Sequence, residues 1–303
     1  MFILKSIPKK RIWGTPRLQA YSTEICEGKI GSVYSASATK EIDSPVVSKQ
    51  QTLRELVQAN PQSFGLLEGE EYPLIISMTG ADEDLSIQVH PTDDYAKKTA
   101  NKSYGKSEAW FFLTPPKSGS IIAGQIADSK QTFTTAIQEN KYETILGKTT
   151  VAKESIVYIP SGTIHALTKG ALVYEIQQST DITYRFYDYD RSDDSGIKRE
   201  LHTKQATETL ELQQTVLKAH FDLEQTLDMK EFTVRRALLE KNYRNQESLA
   251  QVITVLAGTT KIAEQEIQQG QSIIVLPNEQ LVIDTPFECM IATPKAYWRE
   301  TSV

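Results

Sequence analysis

Leu85-Ser86-Ile87-Gln88-Val89-His90-Pro91 alternates apolar and polar side chains with a period of two, the pattern of a β-strand with one buried face. Residues two apart on a strand share a face, so Gln88 and His90 look one way and Leu85, Ile87 and Val89 the other. Pro91 ends the run, because it has no N–H to give to a ladder. Downstream, Glu108 in Gly105-Lys106-Ser107-Glu108 opens the apolar run 109–113. His165 follows the turn Ile159-Pro160-Ser161-Gly162-Thr163-Ile164, which delivers it to a strand start. One amide oxygen, two imidazoles and one carboxylate are enough for a single metal ion with a position left open for water or substrate. The chain has only four histidines, His90, His165, His202 and His220, and a single strand histidine is more often a hydrogen-bonded structural residue than a ligand. Glu108 tips the balance: a carboxylate entering a buried strand needs a partner, since burying it unpaired is costly, and a metal ion would serve.

The chain has 303 residues, enough for a large core and two domains of ordinary size. Its 33 basic and 39 acidic residues give a net charge of −6, which provides no global attraction for nucleic acid or an anionic membrane. A phosphorylated small molecule would have to be held by local lysines and arginines. Cys26 and Cys289 follow no metal or redox spacing and read as two buried or free thiols of a reducing compartment. Residues 1–8 hold no apolar stretch long enough for a secretory signal, and no run approaches the ~20 apolar residues of a membrane helix. The expectation is a soluble, cytoplasmic protein.

Short apolar or alternating runs dominate the rest. The strand candidates are 32–36, 74–78, 85–90, 109–113, 120–123, 155–159, 171–177 and 184–187, then 232–239, 249–256, 261–267, 271–275 and 290–293. Helical patterns are few: 51–59 before Asn60-Pro61, 129–139 with Ser129 as N-cap, and one within 203–212. Many short strands without long intervening helices argue for sandwiches or closed barrels. The expected fold is mostly β, two cupin-like jelly-roll barrels with a few short helices. The expected domains are 1–215, metal-binding and catalytic with helical insertions, and 228–303, a second β domain without metal. The polar segment 213–229 joins them. Residues 270–277 repeat the turn–strand–proline form of 153–160, but no histidine follows Pro277, so any repeat concerns the barrel and not the site. Shared hairpin grammar explains it equally well.

Four motifs then occur in a telling order: Gln88-Val89-His90-Pro91, Lys106-Ser107-Glu108, Ile159-Pro160-Ser161-Gly162-Thr163-Ile164-His165-Ala166, and Ser179-Thr180-Asp181-Ile182-Thr183-Tyr184-Arg185. With an early Trp13-Gly14, the set resembles the type I mannose-6-phosphate isomerases, in their short bacterial form. The resemblance covers roughly residues 10–200, and the chain has no room for the extra helical domain of longer members. It implies one Zn²⁺ per chain held by Gln88, His90, Glu108 and His165, and a substrate pocket lined by Lys106, Asp181 and Arg185. It also implies an enzyme that interconverts mannose 6-phosphate and fructose 6-phosphate.

The residues suit that chemistry. Moving a proton between neighbouring carbons passes through an enediol bearing negative charge, which a metal and a preorganised cation both stabilise. Arg185 is the candidate cation. Its local sequence alone reads as an exposed strand arginine paired with Asp181 or Asp188, and the resemblance reverses that reading. Asp181 is then expected to orient the sugar or Arg185, and Lys106 to meet the phosphate or a hydroxyl rather than remain a solvated loop lysine. The aromatic run 184–191 reads first as strand packing and second as a sugar wall. Trp13 is either core or a lid. Two rivals stay open: a cupin iron oxygenase, against which a fourth ligand at Gln88 argues, and a non-catalytic sugar-phosphate-binding cupin that keeps its metal as a prop. The proton-transferring base and the oligomeric state are not legible.

Overall fold

The computed structural model describes residues 1–299 except Ser48, Asp194 and Ala263; residues 300–303 of the expected second domain lie outside it. The chain is mostly β with a few short helices, as its patterning predicts, and it forms two cupin-like barrels. Two compact units account for it.

One unit comprises Lys10–Thr15 and Thr79–His220. It holds a five-stranded sheet in the order Tyr184–Tyr187, Ile87–Val89, His165–Ala166, Ser120–Gln125, Leu146–Thr150. Facing strands run Leu217–His220, Ser155–Ile159, Glu108–Thr114 and Leu172–Gln178 in that order. Between the sheets lies a core that includes Trp110, Phe112, Ile87, Val89, Ile164 and Phe186. Non-directional burial of this apolar surface holds the layers together. Trp13 belongs to the same core, which settles it as packing. The 85–90 run is strand only over Ile87–Val89, with His90 just beyond the ladder.

The other unit comprises Met1–Lys9, Pro16–Met78 and Phe221–Val303. Its six-stranded sheet runs Phe2–Ile3, Ser272–Val275, Gln251–Val255, Phe287–Pro294, Phe232–Leu239, Thr226–Asp228. This division differs from the linear split at 215–228. Phe2 and Ile3 pair with Ile274 and Ile273, the Tyr72 hydroxyl donates to the Ala250 carbonyl at 2.9 Å, and Arg299 bonds Glu70. Strand pairing between chain ends leaves no trace in local composition, so a reading along the chain places the early residues with their sequence neighbours.

The expected helices form, and Ser129 caps the second of them as expected. Leu53–Ala59 opens on a capping box between Thr52 and Glu55, Lys130–Gln138 opens on Ser129, and the third is Thr203–Thr209. A fourth, Asp93–Ala100, was not expected. Its only buried residue is Ala96, so it lacks the apolar stripe that signals a helix, although Thr92 caps it and Asn101 ends it in the left-handed conformation. The polar segment 213–229 is also less plain than it reads. It carries the strands Leu217–His220 and Thr226–Asp228, and the first is exposed along its whole length, an edge strand with no buried face to impose alternation. The single run 261–267 is in fact a hairpin of Thr259–Ile262 with Gln265–Gln268, turning near Glu264 at φ 65°.

Candidate metal centre

Register builds the site. Gln88 lies opposite His165 on one neighbouring strand and opposite Arg185 on the other. Directly paired residues present their side chains to the same face, so Arg185, Gln88 and His165 form a row across three strands. Glu108 comes from the facing sheet, where it pairs with Gln177 and Ile159. His90 sits one residue past its strand.

His90, Glu108 and His165 are buried, and one ligand atom from each lies within 4.8 Å of the others. His90 Nε2 is 3.3 Å from Glu108 Oε2, and His165 Nε2 is 3.5 Å from Glu108 Oε1. Both imidazoles are pinned from behind: His90 Nδ1 lies 2.9 Å from the Ile182 carbonyl and His165 Nδ1 lies 2.8 Å from the Thr163 carbonyl. A carbonyl only accepts, so each Nδ1 carries the proton and each Nε2 presents its lone pair inward. That is the tautomer a metal-binding imidazole needs. The Gln88 amide reaches His165 Nε2 at 3.3 Å, and a half-turn of the amide puts its oxygen there instead.

Electrostatics prepare the same donor state. Burial, then the Lys106 charge, lowers the His90 pKa to about 3; burial likewise lowers that of His165. Burial pushes the Glu108 carboxyl up, but Lys106 and the two imidazoles outweigh it and hold it well below the usual carboxylate range. Neutral imidazoles and an anionic carboxylate are what a divalent cation binds. Glu108 Oε1 is buried with no hydrogen-bond partner, a costly state for a carboxylate oxygen. The donor set, its tautomers and this orphaned oxygen fit one metal ion.

The three expected pocket residues fare differently. Lys106 is no solvated loop lysine. It is 6% exposed, and its Nζ donates to Glu108 Oε2 at 2.6 Å and lies 2.7 Å from His90 Nε2. Its loop is held by Gly105 N–H to Asp93 Oδ1 and Lys106 N–H to the Pro91 carbonyl. A side chain at Gly105 would come within 2.6 Å of that same carbonyl oxygen, so glycine is needed there for close approach. Asp181 is exposed, and its charge acts on Lys106. Arg185 donates through Nη1 to the Glu200 carbonyl at 3.3 Å, while its Nε is buried without a partner. Asp188, one of its expected ion-pair partners, is taken by Arg191 and Arg199 instead. The aromatic run packs as strand side chains do: Tyr184 edge-on to Tyr95, Phe186 to Phe133, and Tyr187 against Tyr142.

Glu175 was missed. It is buried on the strand opposite Trp110, takes the Thr79 hydroxyl at 2.7 Å, lies 3.4 Å from the Trp110 indole nitrogen, and acts on Lys106. Trp110 in turn packs edge-on against His165. A lone carboxylate inside Leu172-Val173-Tyr174-Glu175-Ile176 is the same signal that marked Glu108.

Comparison with known proteins places the chain. The model of the phosphomannose isomerase type I catalytic domain matches residues 1–109. Mannose-6-phosphate isomerase ManA of Bacillus subtilis is 39% identical over 211 residues, which are 69% of this chain and 67% of that protein. The probable mannose-6-phosphate isomerase GmuF of the same organism is 37% identical over 75% of this chain and 72% of its own length. A crystal structure of the B. subtilis mannose 6-phosphate isomerase superposes with a TM-score of 0.81 at 29% identity, covering 96% of this chain and 98% of that one. A structure from Archaeoglobus fulgidus shares the fold at 16% identity and a TM-score of 0.78. The chain belongs to the type I mannose-6-phosphate isomerase family, and so to the enzymes of the isomerase class.

Proposed function

We propose that the enzyme interconverts mannose 6-phosphate and fructose 6-phosphate by proton transfer through an enediol, with one Zn²⁺ held by Gln88, His90, Glu108 and His165. The observation that carries this is the pair of imidazoles locked with Nε2 lone pairs turned toward the Glu108 carboxylate, His90 toward Oε2 and His165 toward the orphaned Oε1. Two imidazoles with oxygen donors suit zinc. When bound, the ion supplies Lewis-acid polarisation of the substrate oxygens.

The chain's own residues divide the remaining work. Arg185 stands in the row with Gln88 and His165, with an unpartnered Nε–H. It is assigned to the negative charge that develops on the enediol oxygens. A guanidinium held ready in a low-dielectric site is worth more there than in water. Lys106 is assigned to a sugar hydroxyl or the phosphate, and Asp181, at the exposed side of the same group, to orienting the sugar. Burial of Glu108, His90 and His165 keeps bulk water from competing for these contacts.

The test is turnover of mannose 6-phosphate to fructose 6-phosphate by purified protein, with metal content measured in parallel. Chelation should remove both activity and about one equivalent of metal per chain, and zinc should restore both. Full turnover by metal-free protein, or no turnover by zinc-loaded protein, would refute the assignment.

A further inference from the structure

Past Tyr187 the chain leaves its strand, turns through Tyr189 and Asp190, both at left-handed φ near 55°, and makes a hairpin in which Ser192 bridges to Lys198. It then returns to the strand it left. On return, the Glu200 carbonyl accepts from Arg185 Nη1 at 3.3 Å, and the His202 N–H donates to the Arg185 carbonyl at 2.7 Å. Arg185 is therefore held, side chain and backbone, by the returning segment and not by a carboxylate.

The base of this excursion is closed by one buried side chain. Asp188 is 5% exposed. It accepts from Arg199 through both oxygens, at 2.7 Å from Nε and 2.6 Å from Nη2, the planar two-bond geometry that only a guanidinium provides. It also accepts from Arg191 Nη2 at 2.7 Å, and Arg191 reaches on to the Asp84 carbonyl at 2.6 Å. Asp188 lies three residues after Arg185, and Arg199 lies one residue before Glu200. The clamp therefore joins the exit and return of the hairpin next to the atoms that hold Arg185. Two non-glycine residues in the left-handed region are individually unfavourable, so the turn needs such a clamp to stay closed. The clamp also occupies the Arg199 guanidinium, the strongest neighbouring charge acting on Arg185.

We infer that Asp188 and Arg199 are positioning residues for isomerisation, acting through Arg185 by fixing the returning segment that orients its guanidinium. The inference rests on the role proposed above for Arg185. It adds a function for the segment 188–202, which touches none of the four metal-ligand candidates in any contact described above.

The experiment is a double-mutant cycle on the zinc-loaded enzyme. Asp188→Asn and Arg199→Ala should each lower kcat by about 10- to 100-fold, the loss expected when a catalytic group shifts by about 1 Å. KM should change much less, and metal content should equal that of the parent. In an Arg185→Ala background the same changes should lower kcat by less than about twofold further, since groups acting as a unit are not additive. If Asp188→Asn does not fold, Arg199→Ala carries the cycle, because Asp188 then keeps Arg191. Additive losses, or parental kcat in folded Asp188→Asn and Arg199→Ala, would overturn the inference while leaving Arg185 in place. An Arg185→Ala enzyme with parental turnover would instead overturn the assignment of Arg185 and the inference with it.

Discussion

Lys106 Nζ lies 2.6 Å from Glu108 Oε2, and both side chains, two residues apart in sequence, are buried. Burial alone would drive each toward its neutral form. Their mutual field reverses that: Glu108 is held well below the usual carboxylate range, and Lys106 is raised by Glu108, Glu175 and Asp181 against the pull of burial. Replacing Lys106 leaves a buried carboxylate alone. In metal-free protein, Lys106→Met is expected to cost roughly 3–5 kcal/mol of stability, read from urea unfolding midpoints at constant slope. A Lys106→Met protein as stable as its parent would show that Glu108 is satisfied by other groups.

The histidines separate by position. His90→Ala and His165→Ala should each lose most bound metal and most turnover, since the candidate centre has few donors to spare. His220→Ala is the internal control. It lies on the exposed edge strand, and its metal content should match the parent's. Elemental analysis of the three purified variants decides the matter. Metal retained in His165→Ala but lost in His220→Ala would require a different ligand set.

Arg185→Ala should lower kcat by ~10²- to 10³-fold, the usual loss for one preorganised charge, with metal content and folding intact. Arg185→Lys should recover little of it, because an ammonium does not reproduce the planar fork that meets Glu200 with one nitrogen and leaves another free. Steady-state kinetics with circular dichroism on both variants provide the check. Normal turnover in either folded variant would return Arg185 to a merely structural position.

One pH effect lies away from the site. Hydrogen bonds from Arg299, outweighing partial burial and joined by Trp298, lower the Glu70 pKa from 4.5 to about 2. A carboxyl whose folded-state pKa is depressed adds stability that is fully present above its unfolded value and is lost as the pH falls toward the folded value. The contribution of Glu70 should therefore fade between about pH 4.5 and pH 2. Unfolding midpoints measured across that window should fall less steeply in Glu70→Gln than in the parent. Parallel profiles would show that the pair contributes nothing measurable.

Much of this enzyme is legible in its sequence because the signals are local. Strand periodicity marks Phe232–Leu239 and Tyr184–Tyr187 to the residue. Ser129 marks a helix start because a cap bonds a backbone N–H only a few residues away. A charged residue inside an apolar run marks Glu108, and the same rule applied more widely would have marked Glu175. The helix Asp93–Ala100 and the strand Leu217–His220 escape because neither buries a face, so neither needs a periodic pattern.

The sequence alone determined the chemistry that is available: which donors exist, that Gln88 and His90 lie two residues apart in one alternating run, and that the chain is mostly β. Tertiary structure decided the rest. It aligned Arg185, Gln88 and His165 by strand register, supplied the Ile182 and Thr163 carbonyls that set the imidazole tautomers, and buried Lys106 against Glu108. It also sent residues 1–9 and 16–78 to fold with the described residues from Phe221 onward. The reason is physical: propensity and periodicity are read over a few neighbouring residues, whereas register, burial and hydrogen-bond partners belong to groups that only folding brings together.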